Sequence, residues 1–184
     1  ITLGWGQGAD VTLHVSGSRA VAVHALDYLA MGVPGAGRVP STSTLAFTLD
    51  EQGVTPVTIQ SRRAGLSINR QSPNRCRLVV GLSAVPPRDD VALVAAQVAP
   101  TGTFDDLPEG AEVRATHAGR SYAWRLTYRG GESGCDVVLT QVTGHAGEAP
   151  VTKCRARPVI PVPLWEKLPS EPSGAADGAP AFAE

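Results

Sequence analysis

Between Ser121 and Tyr128 the chain alternates without a break: Tyr122, Trp124, Leu126 and Tyr128 are large and apolar or aromatic, and Ala123, Arg125 and Thr127 stand between them. Successive side chains leave an extended strand on opposite faces, so a period of two marks a strand with one buried side. Shorter segments repeat the pattern or its β-branched content: Val11 to Ser16, Ala20 to Ala25, Thr44 to Leu49, Val54 to Gln60, Leu66 to Asn69, Cys76 to Ser83, Val91 to Val98, Ala111 to Thr116, Asp136 to Thr143 and Val151 to Arg157. Turn residues separate them, and the 20 Gly and 15 Pro among 184 residues serve mostly as this punctuation. Gly17-Ser18 reads as the turn of an antiparallel hairpin joining the first two segments. Pro56 makes its segment an edge, a bulge or a strand start, because proline donates nothing to a ladder. Two segments also fit helix: Leu26 to Met31 as a short turn, and Val91 to Val98, whose alanines favour helix but whose valines are read here as strand.

Many short strands with closely spaced turns predict an all-β fold, an antiparallel β-sandwich of jelly-roll or immunoglobulin-like type. Residues 1–165 are expected to form a single domain, and 166–184, rich in Pro, Ala, Ser and Glu, a flexible tail. Fourteen Arg and two Lys face 17 acidic residues, a net charge of -1, so no overall field draws nucleic acid or an anionic membrane. No apolar run reaches the length of a membrane span, and the expectation is a chain without membrane insertion, placed outside the cell or on a virion surface.

Cys76, Cys135 and Cys154 contain no Cys-x-x-Cys pair, which excludes the usual zinc and redox motifs. Cys135 and Cys154 border neighbouring strand candidates and are the candidate disulfide; three separate thiols are the alternative. His14, His24, His117 and His145 lack metal-ligand spacing, and no metal or cofactor is expected.

Three motifs remain. Gly4-Trp5-Gly6-Gln7-Gly8 resembles the Trp-Gly-x-Gly joining segment that enters the last strand of antibody variable domains. Here it opens the chain, with no cysteine in the first 75 residues, and reads as a strand entry that packs Trp5 or presents it to a partner. Arg62, Arg63, Arg70, Arg75 and Arg77 fall in a stretch free of acidic residues from Val54 to Arg88. Their planar forks suit a carboxylate, phosphate or sulfate, whereas nucleic acid would call for interleaved aromatics that are missing. Gly131-Glu132-Ser133-Gly134 resembles the Gly-Asp-Ser-Gly around the nucleophile of chymotrypsin-like serine proteases. That resemblance implies His24 as base, Asp50 or Asp89-Asp90 as its orienting acid, and Ser133 as nucleophile. Cys135 stands where that family carries another small residue, and a glycine turn explains the same four residues.

The functional expectation is therefore a non-enzymatic sandwich module for binding or assembly. Its loops would engage another protein or a copy of itself, with Trp5 and the five arginines as the contact set. The alternatives are a serine hydrolase built on His24, Asp50 and Ser133, and a structural subunit of a homo-oligomeric shell.

Overall fold

The computed structural model describes residues 1–3, 8–20, 22–25, 27–32, 40–69 and 74–142. The candidate strand at Val151 to Arg157, the boundary at 165 and the tail lie outside them, as do Trp5, Arg70 and Cys154. Twelve strands follow one another in the described chain: β1 (Thr2–Leu3), β2 (Asp10–Ser16), β3 (His24–Ala25), β4 (Leu29–Met31), β5 (Thr42–Leu49), β6 (Val57–Ile59), β7 (Leu66–Ile68), β8 (Arg75–Leu82), β9 (Val91–Ala96), β10 (Glu112–His117), β11 (Arg120–Gly130) and β12 (Asp136–Gln141).

Consecutive strands among the first nine do not pair. Each lies instead beside the strand three places later, always parallel, giving the sheets β1-β4-β7, β2-β5-β8 and β3-β6-β9. The chain thus winds through three successive coils of three strands, the topology of a short parallel β-solenoid. From β9 onward the pairing becomes antiparallel, and the third sheet continues through β12 and β11 to β10.

This overturns the expected jelly-roll or immunoglobulin-like sandwich, whose sheets are antiparallel. The Gly17-Ser18 corner shows why. Instead of reversing the chain, Gly17 donates its N–H to the Thr48 carbonyl at 2.8 Å and accepts from Thr55 N–H at 3.1 Å. Asp50 Oδ2 receives the N–H of Ser18 at 2.7 Å and its hydroxyl at 2.8 Å. The corner of one coil is therefore tied to the corner of the next, and the chain turns onto a new face. Leu29–Met31 is strand, paired with β1 and β7, and not a helical turn. Val91–Ala96 is strand as well, held by β6 and β12. Pro56 stands immediately before β6, where no ladder bond is asked of it.

Register stacks like positions into ladders, with neighbouring rungs about 4.8 Å apart. Leu13, Leu45 and Leu78 form one ladder, and Val15, Phe47 and Val80 another. Leu3, Met31 and Ile68 rise on the first sheet and Ala25, Ile59 and Ala96 on the third. Inward residues of all three sheets meet in one core, with Leu45, Met31 and Leu93 fully buried. Each fully buried aliphatic side chain stabilises by roughly 1.5–3 kcal/mol relative to an exposed one.

The two ends of the coil differ. Beyond the third coil each of the three sheets is met by later chain, over β9 by a whole strand and over β7 and β8 at single points. Thr101 lies parallel to β7, accepting from Ile68 N–H and donating to the Leu66 carbonyl, both at 2.8 Å. Asp105 covers the start of β8, its N–H on the Cys76 carbonyl at 2.8 Å and its Oδ2 on Cys76 N–H at 3.1 Å. β12 covers β9. Phe104 plugs this end; Tyr128 accepts from Phe104 N–H at 2.9 Å and donates to the Leu107 carbonyl at 2.7 Å. Trp124, Leu126 and Leu139, fully buried, complete the cover. At the opposite end, β1, β2 and β3 have no partner on their outer edges among the described residues. No helix among the described residues is long and apolar enough to cross a membrane.

Candidate functional site

The coil fixes the direction of every outward side chain. On β8, Arg75 and Arg77 are two residues apart and both exposed, while Cys76 between them is buried. A strand rises about 3.3 Å per residue, which puts the two guanidinium stems roughly 7 Å apart on one face. They line a cavity of about 340 Å³ with Leu78, Val79, Asp105 and Asp106. Its acidic wall is the segment that covers the β8 edge. Asp105 is anchored there by its two contacts with Cys76. Asp106 follows in the left-handed region, φ 59°, at the turn that returns the chain to Leu107.

Neither arginine forms an ion pair with Asp105 or Asp106. Asp105 spends part of its acceptor capacity on Cys76 N–H, leaving the guanidinium donors available. Val79 is half exposed on the same face, with 50% of its surface open, and supplies an apolar patch beside the charges.

The arginine set expected from sequence is divided by the coil. Arg62 and Arg63 are exposed in the turn from β6 to β7, where Ser61 Oγ accepts the N–H groups of Arg63 at 3.1 Å and Ala64 at 3.3 Å. That turn joins the third sheet to the first, whereas Arg75 and Arg77 stand on the second. Asp105 and Asp106 carry no sequence signal for a site, because adjacent acids near Gly and Pro look like any solvated turn. The spacing of Arg75 and Arg77 within an alternating segment was the usable signal.

The hydrolase set does not assemble. His24 lies exposed on β3, and Ser133 is only 2% exposed in the turn between β11 and β12. The Ser133 hydroxyl sits 3.4 Å from both the Ala96 carbonyl and Asp136 Oδ1, and accepts Cys135 N–H at 3.2 Å. Ala96 belongs to β9, two strand spacings or about 10 Å of sheet from β3. Asp50 is engaged at the Ser18 corner, where the Ser18 and Gln52 amides hold its carboxyl below the ordinary value of 3.8. Gly-Glu-Ser-Gly is thus a turn organised by Ser133. Asp136, itself buried, fastens that turn to β9 by accepting Ala96 N–H at 3.0 Å.

Cys135 is disulfide-bonded, Cys76 is buried with its Sγ 3.7 Å from the Asn69 carbonyl oxygen, and Cys154 lies outside the described residues. Among the described residues, no cluster of His, Cys, Asp and Glu is suited to a metal. Comparison with protein-family models, curated proteins and solved structures finds no match to the chain.

Proposed function

We propose that the coil is a rigid scaffold that captures an anionic group at Arg75 and Arg77. The earlier expectation of a sandwich module engaging partners through loops is withdrawn with the sandwich. Here the recognising side chains project from a strand, whose packing fixes their spacing better than a loop does. The observation that supports the reading is the pair of unpaired guanidinium groups on one face of β8, beside a cavity with an apolar patch. Two long side chains whose stems stand about 7 Å apart can bring their forks onto one carboxylate, phosphate or sulfate, or onto two neighbouring ones. Asp105 and Asp106 on the opposite wall favour a ligand whose anion adjoins a hydroxyl or ammonium donor, and they penalise bare polyanions.

The test is a titration with inorganic phosphate and with a small aliphatic carboxylate, followed through the side-chain N–H resonances of Arg75 and Arg77. Both resonances should move, the affinity should fall with salt, and Arg75→Gln with Arg77→Gln should abolish the response. Arg62→Gln with Arg63→Gln should leave it intact. A response that survives loss of Arg75 and Arg77, or disappears with Arg62 and Arg63, would contradict the assignment.

A further inference from the structure

The second sheet ends in β2, and the geometry of that strand points to a specific occupant. In a parallel ladder every second residue directs both its N–H and its carbonyl toward the neighbour. Ala9 accepts from Thr42 N–H at 3.1 Å and Gly17 donates to the Thr48 carbonyl at 2.8 Å, so the odd-numbered residues between them face β5. The backbone groups of Asp10, Thr12, His14 and Ser16 therefore all point away from the coil. No strand meets them among the described residues. Beneath this edge the core is partly uncovered: Val11 and Leu13 are half-buried, whereas Leu45, the next rung of the Leu13 ladder, is fully buried.

Natural edges are usually blunted by lysine, proline, a bulge or an inward charge. β2 has no Lys or Pro, keeps an unbroken register with β5 over all seven residues, and turns Val11, Leu13 and Val15 inward. A further coil could extend it only in a filament, by pairing with the third-coil end of another molecule. On that end β12 covers β9, Thr101 covers β7 and Asp105 meets β8 at Cys76, so a stacked copy could not continue all three sheets. Contact between two identical first-coil ends instead closes on itself by a two-fold axis.

The residues of β2 match that symmetry. Read outward from Leu13, the strand is a near-palindrome: Thr12 and His14, Val11 and Val15, Asp10 and Ser16. An antiparallel pair centred on Leu13 uses the whole strand and sets Leu13 against Leu13 and Val11 against Val15. It places Thr12 opposite His14 and Asp10 opposite Ser16 without opposing like charges. The outward-pointing residues, which are the even-numbered ones, then fall at the positions that exchange both N–H and carbonyl bonds. Core faces core, and both second sheets join into one six-stranded sheet. We infer that the chain forms a two-fold dimer with a second copy of itself through antiparallel pairing of β2, its capped ends facing away from the contact.

Sedimentation equilibrium of the full chain over a wide concentration range tests this. The mass should rise from 19.1 kDa to twice that value and no further. Thr12→Pro removes an outward N–H while sparing every bond to β5, and proline is tolerated where a strand's N–H faces solvent. It should weaken dimerisation at least tenfold with the circular dichroism of the folded chain unchanged. If that variant misfolds, amide exchange on the unaltered protein decides: Thr12 and His14 should become protected as concentration rises, and Val15 should be protected throughout. A mass of 19.1 kDa at every concentration, growth beyond a dimer, or protection of Thr12 and His14 independent of concentration would overturn the inference. The last result would mean that the edge is covered by the chain's own residues.

Discussion

The two ends of this coil are built from the same kind of strand and finished differently. At the third-coil end, chain from Thr101 to Asp105 starts a fourth turn, and β12, β11 and β10 then fold across it with Phe104, Trp124 and Tyr128 buried beneath. At the first-coil end, β1, β2 and β3 keep bare outer edges among the described residues, and Leu13 is only half-buried. A solenoid rung buries its inward side chains only when it has a neighbour above and below, so an end must be capped, paired or left partly wet. The antiparallel strands supply the neighbour at one end. At the other, β2 offers a symmetric strand to a second copy.

Core truncations should separate the ends most strongly. Phe104→Ala is expected to cost about 3–5 kcal/mol in urea unfolding, because it empties the plug of the closed end. Leu13→Ala in the monomer should cost only about 1 kcal/mol, since the side chain has less apolar surface to lose. Equal losses would break the comparison and mean that the first coil is as well covered as the third. Next come two glycines in left-handed backbone. Gly119, φ +75°, has open space where a Cβ would stand, so Gly119→Ala should cost about 1–2 kcal/mol from conformation alone. Gly102, φ +78°, crosses the edge of β7 with its Cβ position only 2.1 Å from the Ile68 carbonyl oxygen. Gly102→Ala should therefore cost about 1–3 kcal/mol more than Gly119→Ala. Thermal melts of both variants measure the difference.

Tyr128→Phe removes the hydroxyl joining Phe104 N–H to the Leu107 carbonyl, and it should lose about 1–3 kcal/mol by leaving a buried donor unmet. The smallest effect belongs to the open end. Asp50 has its folded pKa lowered by the Ser18 and Gln52 amides, so its contribution is complete above the ordinary value of 3.8 and is lost as pH falls through the lower folded value. Amide exchange at Ser18 and Gln52 should quicken in that acid window, and Asp50→Asn should show the faster exchange already at neutral pH. No acid response at Ser18 would mean that the corner is held by other bonds.

Strand positions were legible because alternation is local: Tyr122, Trp124, Leu126 and Tyr128 do face inward together. Partners were not, because alternation says which face a residue takes and nothing about which strand lies beside it. The coil also hides its repeat. Thr2 stacks on Ala30 and Ala30 on Ser67, whereas Asp10 stacks on Thr42 and Thr42 on Arg75, so corners of unequal length erase any fixed period. Polar rungs obscure it further. Ser43 and Cys76 occupy the ladder begun by Val11, and Ser43 is buried because its hydroxyl donates to the Leu3 carbonyl at 2.9 Å and accepts Gly32 N–H at 3.1 Å. Arg75 and Arg77 could be placed on one face from their spacing. The acids opposite them could not, since Asp105 reaches β8 only after the chain has travelled around the coil. Ser133 illustrates the converse: a familiar tetrapeptide was a turn, and only the distance to β3 decides it.

The arginine face of β8 and the open edge of β2 both follow from the parallel winding, and backbone proton contacts between the strands measure that winding most directly. The account predicts parallel-type contacts between β2 and β5 and between β5 and β8, joining Val15 to Phe47 and Phe47 to Val80, with none between β2 and β3. Close α-proton to α-proton contacts between β2 and β3, as in a sandwich hairpin, would contradict it.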